Sequence, residues 1–328
     1  MVSQELLKFA GDRYLFDAAT AVFISNSCNE VYRFNREGQS FILRFSEKPA
    51  EYADKIRAEM EWVYYLAQQD VGVSLPLLTK DQQLYEIYQE GERCYIVTAF
   101  HMAPGRIIHK HDPLWGRELF QKWGAVMGKM HRATLSYPVN PSAASREEWD
   151  VWDIDTPHLR QGDFELIYRK FKTLERTICT YPKNRESYGL IHNDFHSLNF
   201  HVDGDQLVVF DFDDAMYGWF ALDIAIAAVH ATWVGAAGEG RQAKNEFAKQ
   251  FLHDFLEGYS KHHSLADDVI KQIPTFMDYR NVSSFFWRMG SWDGDENTLT
   301  KDQADAIARA VKVAKSNVPF DGCEIQIS

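Results

Sequence analysis

The chain has 328 residues, a formal net charge of −12 at pH 7, 45% hydrophobic and 14% aromatic residues. That length allows one large domain or two lobes, each able to bury a core. The acidic balance lacks the basic face that nucleic-acid binding needs, while it permits a cationic small-molecule partner.

Cys28, Cys94, Cys179 and Cys323 lie far apart with no C-x-x-C spacing, so neither a zinc site nor a disulfide framework is expected and a reducing, cytoplasmic setting fits. The N-terminal stretch MVSQELLKFAGDRYLF has no basic segment followed by an apolar one. The most apolar later run, Ile224 to Val234, is short and interrupted by His230, so no signal peptide and no membrane span are expected.

After a short N-terminal helix, Ala21 to Ile24 reads as a strand. Val31 to Phe34 and Ser40 to Phe45 follow as a hairpin across Arg36-Glu37-Gly38-Gln39. Between the first two strands lies the loop Ser25 to Glu30, which contains no glycine. From Pro49 to Asp70 the positions Ala58, Trp62, Tyr65 and Leu66 recur at helical spacing, and the strands LYEIYQ and CYIVTAF are joined by Glu90-Gly91-Glu92.

His101-Met102-Ala103-Pro104-Gly105 then punctuates the chain and marks a boundary between residues 1–101 and residues 102–328. Beyond it, helices are expected over Leu119 to Thr134, Phe164 to Thr180, Trp219 to Val234, Arg241 to His262, Ala266 to Phe286 and Lys301 to Ser316.

One stretch interrupts this helical part. In LIHNDFHSLNFHVDGDQLVVFDFDD, from Leu190 to Asp214, His192, Asp194 and Asn199 form H-x-D-x-x-x-x-N, and the apolar run Leu207 to Phe210 ends on Asp211. A carboxylate that can receive a proton is followed by an amide and a second carboxylate that can hold a divalent cation. Phosphoryl transfer from a nucleotide needs those parts, because its catalysis is mostly positioning and charge neutralisation. The plainer alternative is a loop aspartate, an Asx turn and a helix cap. His192, His196 and His201 also form H-x3-H-x4-H, but on a loop that lacks the helical spacing which aims imidazoles at one ion.

Taken together, these features resemble the aminoglycoside phosphotransferase and choline kinase family, a branch of the protein-kinase-like fold. The likeness runs from about Ala21 to the last helices and is most specific between residues 190 and 225. The family pattern H-G-D-x-H-x-x-N stands here as His192-Asn193-Asp194-Phe195-His196-Ser197-Leu198-Asn199, its metal motif as Asp211-Phe212-Asp213, and the aspartate before a helix as Leu222-Asp223.

The resemblance implies an α+β, two-lobed fold. Residues 1–101 would be a β-rich nucleotide-binding lobe and residues 102–328 a helical lobe for catalysis and acceptor binding. It implies ATP as donor, with GTP the alternative, and Mg²⁺ as cofactor. Asp194 would be the catalytic carboxylate, Asn199 and Asp211 the metal ligands, and His192 with Asp223 the support of the catalytic loop. His196 would touch the acceptor or simply pack.

Arg44 stands where the family usually has lysine, with Glu59 as its partner, and the two would hold the α- and β-phosphates. Arginine is not a neutral exchange, since a guanidinium binds phosphate as a planar fork. Ser25 and Ser27 would approach phosphate from the glycine-free loop, Thr98 to His101 (including Phe100) would form the hinge that reads the base, and Val97 would be an apolar wall.

The acceptor expected from the resemblance is a small-molecule hydroxyl: an aminoglycoside-like antibiotic, an amino alcohol, homoserine or a sugar. The D-x-D-D-A form at Asp211 to Ala215 also resembles the stress-response kinase A group, which keeps a protein Ser/Thr kinase open, with Asp213 a second metal ligand or a solvated residue. Arg44 and the missing glycines leave a pseudokinase or structural binding protein as a further alternative. The carboxylates and tryptophans of Glu147 to Asp155 and Trp292 to Glu296 suit either a cationic ligand or solvated loops pinned by tryptophan.

Overall fold

The computed structural model describes residues 1–138 and 146–327. In chain order the first elements are α1 (Gln4–Tyr14), β1 (Val22–Asn26), β2 (Glu30–Arg36), β3 (Gln39–Glu47), α2 (Ala53–Gln68), β4 (Pro76–Leu77), β5 (Glu86–Glu90) and β6 (Arg93–His101). Then come α3 (Arg117–Thr134), α4 (Asp163–Ile178), β7 (Tyr188–Ile191), β8 (Phe200–Asp203), β9 (Gln206–Val209) and β10 (Met216–Trp219). The chain closes with α5 (Phe220–Gly235), α6 (Arg241–Tyr259), α7 (Asp267–Ile270), α8 (Ile273–Met289) and α9 (Lys301–Ser316).

These form two compact units. The first comprises Met1–Ile107, Ser136–Glu147 and Leu198–Ala215; the second comprises Ile108–Leu135, Glu148–Ser197 and Met216–Ser328. The first unit is built on a sheet in the order β1-β2-β3-β6-β4, with β5 also paired to β6. Alternation along β3 and β6 sorts their side chains by face, as period-two geometry requires. Phe41, Leu43, Phe45, Tyr95, Val97 and Ala99 join Leu6, Leu7, Ala10 and Tyr14 of α1 in one core. Arg44 and Thr98, which are paired in register, project from the other face.

The β8–β9 hairpin belongs to this unit because segments 72–74 and 105–106 hydrogen-bond to it. Ser74 N–H donates to the Val209 carbonyl at 2.8 Å, and Arg106 and Val202 exchange backbone bonds at 3.1 and 2.9 Å. Gly105 has φ +80° and passes so close that a Cβ would stand 2.2 Å from the Val202 oxygen. Only glycine satisfies both conditions.

In the second unit α3 and α6 pack with their backbones nearly touching, through Gly124, Gly128 and Gly258. A Cβ on Gly124 would meet the Phe255 carbonyl at 1.9 Å, and one on Gly258 the Gln121 carbonyl at 1.9 Å. Helix α5 is apolar around most of its circumference and correspondingly buried, from Phe220 through Val229 without a break. Its preceding strand β10, not foreseen from the sequence, pairs antiparallel with β7.

The single helix expected over Ala266 to Phe286 is instead α7 and α8, because Pro274 falls in the first turn of α8, where its missing N–H is harmless but inside a longer helix would not be. Helix α9 begins at the residue its Thr300–Gln303 capping box dictates. In the acidic, tryptophan-containing segments Trp149 and Trp292 are turned inward, whereas Trp152 is exposed. Trp149 packs against Trp219 and Tyr279, and Trp292 against His158. Glu148 pairs with Lys183 and Tyr188, and Asp293 accepts from the Asp295 N–H and the Thr298 hydroxyl of its own loop.

Candidate functional site

Within the first unit a cavity of about 420 Å³ opens on the face of the sheet opposite α1. Ile24, Val31, Ile42, Phe100, Met102, Ile107 and Phe210 give it apolar walls, and Ser25, Arg44, Glu59, Asn199 and Asp211 supply polar groups. A mostly apolar pocket with a few fixed polar groups is what a small ligand with a flat ring and a charged end requires.

Arg44 and Glu59 form a two-pronged pair: Nη1 donates to Oε1 at 2.9 Å and Nη2 to Oε2 at 2.8 Å, while Nε donates to the Thr98 hydroxyl at 3.3 Å. The side chains are only 6% and 1% exposed, so the pair is held in a low-dielectric setting. Thr98 therefore holds the arginine and does not line the cavity. Val97, expected as a cavity wall, lies in the core on the other sheet face because strand alternation puts it there. Of the two loop serines Ser25 lines the cavity, whereas Ser27 is exposed and its N–H bonds the Asn29 carbonyl.

Asn199 and Asp211 both face this cavity. Asp211 stands in left-handed backbone geometry, φ +67°, which is unusual for a non-glycine residue and directs its carboxylate at the end of β9. Its side chain is exposed where the cavity opens, yet desolvation by the protein around it, then the charge of Asp213, pushes its carboxyl above the usual carboxylate range. Asp213 accepts a hydrogen bond from Asn29 Nδ2 at 2.9 Å, and Asn29 Oδ1 accepts from Ser46 at 2.7 Å. The donor set, an amide oxygen and neighbouring carboxylates that repel one another, fits a hard divalent cation. Asn29 is a contributor that sequence reading missed; nothing in an Asn within a polar loop announces a partner so far along the chain.

In the second unit the catalytic-type loop is fixed by Asp223, in the first turn of α5. Its Oδ2 accepts the His192 N–H at 3.1 Å and its Oδ1 the Asn193 N–H at 2.9 Å. The same Oδ2 lies 3.1 Å from His131 Nε2, whose Nδ1 lies 2.8 Å from the Tyr259 hydroxyl. A carboxylate can only accept, so His131 carries its proton on Nε2 and Nδ1 accepts from Tyr259. Burial lowers the His131 pKa against the pull of Asp223, and the ring is neutral.

Asn193, where the family pattern has glycine, has φ +64°. Asparagine is among the few residues that tolerate this geometry. His192 is fully buried and stacked on Phe195.

Asp194 projects from this loop. Its Oδ2 lies 3.2 Å from His196 Nε2 and its Oδ1 accepts from Arg280 Nη2 at 2.6 Å. Burial raises its pKa, but the hydrogen bond from His196 and the charge of Arg280 outweigh this and hold the carboxyl well below the usual range. His230 stacks on His196 and is 3.2 Å from Arg280 Nη2. Arg280 was not foreseen, since an arginine in an amphipathic helix carries no local signal. His230 left one: a lone polar residue in the apolar run of α5.

The cavity, the oxygen donors at the end of β9 and the ionised loop carboxylate define a phosphotransferase of protein-kinase-like, α+β fold. The chain belongs to the phosphotransferase enzyme family, whose sequence model matches residues 21–265. It is similar to the amicoumacin kinase of Bacillus subtilis (strain 168), 28% identical over 321 residues, covering 97% of this chain and 93% of that one. A solved amicoumacin kinase in complex with AMP-PNP, Ca²⁺ and Ami has a TM-score of 0.86 at 28% identity, covering 98% of this chain and 96% of that one. The microcompartment-associated aminopropanol kinase shares the fold, with a TM-score of 0.75 at 20% identity over 98% of this chain and 99% of that one. Among the described residues no helix is long and apolar enough to cross a membrane.

Proposed function

We propose that the chain transfers the γ-phosphate of ATP, with Mg²⁺, to a hydroxyl of a small molecule. The observation that carries this reading is Asp194: a carboxylate kept ionised on a loop that Asp223 fixes by two backbone bonds. Such a group orients a hydroxyl from the moment it binds and takes its proton late, as the new oxygen–phosphorus bond forms and the bond to the leaving diphosphate breaks.

In this reading the cavity of the first unit takes the nucleotide, its apolar walls meeting the base and Arg44, oriented by Glu59, facing the phosphates. Asn199 and Asp211 hold the divalent cation, with Asp213, steadied by Asn29, beside them. The cation would offset phosphate charge there. His192 and Asp223 keep the loop in place. The amicoumacin kinases, similar over nearly the whole chain, support a small-molecule acceptor, and the complex with AMP-PNP and Ca²⁺ supports a nucleotide and a divalent cation.

The test is transfer of label from γ-labelled ATP, and separately GTP, to a panel of aminoglycosides, amino alcohols, homoserine, sugars and a protein substrate such as casein. Label in a small molecule with Mg²⁺ present supports the reading. Label only in protein identifies a protein kinase instead. No label anywhere, together with no thermal stabilisation by nucleotide with or without Mg²⁺, would leave a binding protein.

A further inference from the structure

Arg280, on α8, stands beside Asp194, and the role assigned to it rests on the reading of that carboxylate as the group that takes the hydroxyl proton. Its Nη2 serves two neighbours, donating to Asp194 Oδ1 at 2.6 Å and lying 3.2 Å from His230 Nε2. Holding Asp194 by charge alone would need only a point charge such as lysine. The guanidinium instead keeps donors in hand: Nε–H is buried with no hydrogen-bond partner among the described residues, and Nη1 makes no bond there yet is not shut off from solvent. Nε–H is sealed inside the protein, so Nη1 is the donor that a ligand can reach.

The Arg280–Asp194 pair is partly open to solvent, with aromatic side chains nearby. Arg280 and Asp194 retain 23% and 21% side-chain exposure. Two turns along the same face of α8, Trp287 is 70% exposed, with the half-buried Ser283 and Ser284 between. On α5, His230 and Trp233 stand with ring centroids 4.7 Å apart, and Trp233 is anchored by its Nε1–H to Asn281 of α8 at 3.1 Å. A cation flanked by aromatic surface favours an oxygen acceptor on an otherwise apolar or ring-bearing molecule, and disfavours an ammonium at the same place.

We propose that Arg280 determines acceptor specificity: it keeps Asp194 in place through Nη2 and offers Nη1 to a carboxylate or carbonyl oxygen that the acceptor carries near its reacting hydroxyl. The substrate class is therefore a hydroxy compound bearing such an oxygen, not a simple amino alcohol.

The experiment compares L-homoserine with 3-amino-1-propanol, which differ by the carboxylate alone, on the wild type, Arg280→Lys and Arg280→Gln. Phosphate transfer is measured, and in parallel calorimetric binding to protein saturated with AMP-PNP and Mg²⁺, a readout independent of turnover. The wild type prefers L-homoserine by about tenfold to a hundredfold, the range of a charge-assisted hydrogen bond. Arg280→Lys, which keeps a positive charge beside Asp194, retains more kcat than Arg280→Gln but loses the separate Nη1 donor, so KM and Kd for L-homoserine rise roughly tenfold or more and the preference collapses. Arg280→Gln loses kcat as well. Equal unfolding temperatures for wild type and Arg280→Lys exclude a merely structural effect.

A wild-type preference for 3-amino-1-propanol, or one for L-homoserine that survives in Arg280→Lys, overturns the proposal. So does transfer to other hydroxyl compounds when neither member of the pair binds, and that outcome leaves the phosphotransferase reading standing. Absence of transfer to every compound sinks that reading itself.

Discussion

Removing the carboxylate of Glu59 isolates a cation that the fold has enclosed. Arg44 is 5% and Glu59 1% exposed, and two charge-assisted bonds of 2.9 and 2.8 Å join them. Glu59→Ala leaves the guanidinium with the Thr98 hydroxyl as its remaining bonded partner. Breaking a buried pair from one side costs about 3–5 kcal/mol, since the remaining charge keeps its desolvation penalty. Thermal unfolding followed by circular dichroism should then show a fall on the order of 10 °C. Arg44→Ala should cost a similar amount for the mirror-image reason, while the double variant should cost less than the sum, with a coupling of about 2–3 kcal/mol. The loss should persist at 0.5 M salt, unlike that of the exposed Lys80–Asp12 pair, because burial keeps counterions out. A coupling below about 0.5 kcal/mol would show that the two side chains act independently and that their geometry contributes nothing to the fold.

Other perturbations reach separate parts of the molecule. Asp194→Asn should retain AMP-PNP binding and lose transfer by roughly 10²–10⁴-fold; transfer at the parent rate would remove Asp194 from its assigned role. Asp211→Ala should abolish the extra thermal stabilisation that Mg²⁺ gives in the presence of AMP-PNP, while any Mg²⁺-independent part remains; an unchanged Mg²⁺ effect would place the cation elsewhere. For pH, burial lowers the pKa of both His131 and His230, so they are neutral when folded and take up protons on unfolding below about pH 6.5. Each should reduce stability by up to about 1.4 kcal/mol per pH unit as pH falls below that value, measurable by urea unfolding at pH 7.5 and 5.5; equal stability at the two pH values would contradict the assignment. Asn193→Gly should be nearly neutral in stability whereas Asn193→Val should cost about 1–2 kcal/mol, because only the first tolerates φ +64°; calorimetry that finds the reverse order would refute the backbone argument.

The parts of this molecule that could be read from the chain alone are those encoded by local pattern. Period-two alternation located β2, β3 and β6 and the helical pattern located α9, because their signals lie within a few residues. The catalytic-type loop was legible for a similar reason, its residues falling between His192 and Asp211. Strand β10 was not, since Met216-Tyr217-Gly218-Trp219 is short and acquires strand geometry from pairing with β7. The partners of the loop were illegible for a different reason. His131 reaches Asp223 from α3, Arg280 reaches Asp194 from α8, and Asn29 reaches Asp213 from the β1–β2 loop, pairs 92, 86 and 184 residues apart. Such pairings are products of the tertiary fold. Val97 shows a narrower gap: its strand was recognised, but a one-residue change of phase decides which face a side chain joins.

Asp223 is rooted in a helix with almost no solvent face, so the position of the loop carrying Asp194 is inherited from how α5 is wedged among its neighbours. A helix of that kind cannot relax outward when its volume changes. An added methyl at Ala225 or Ala227, both fully buried, would be relieved by a shift of the helix that carries Asp223 with it. Substitutions remote from every reacting group can therefore retune this enzyme, and a library confined to the lining of its cavity would overlook them.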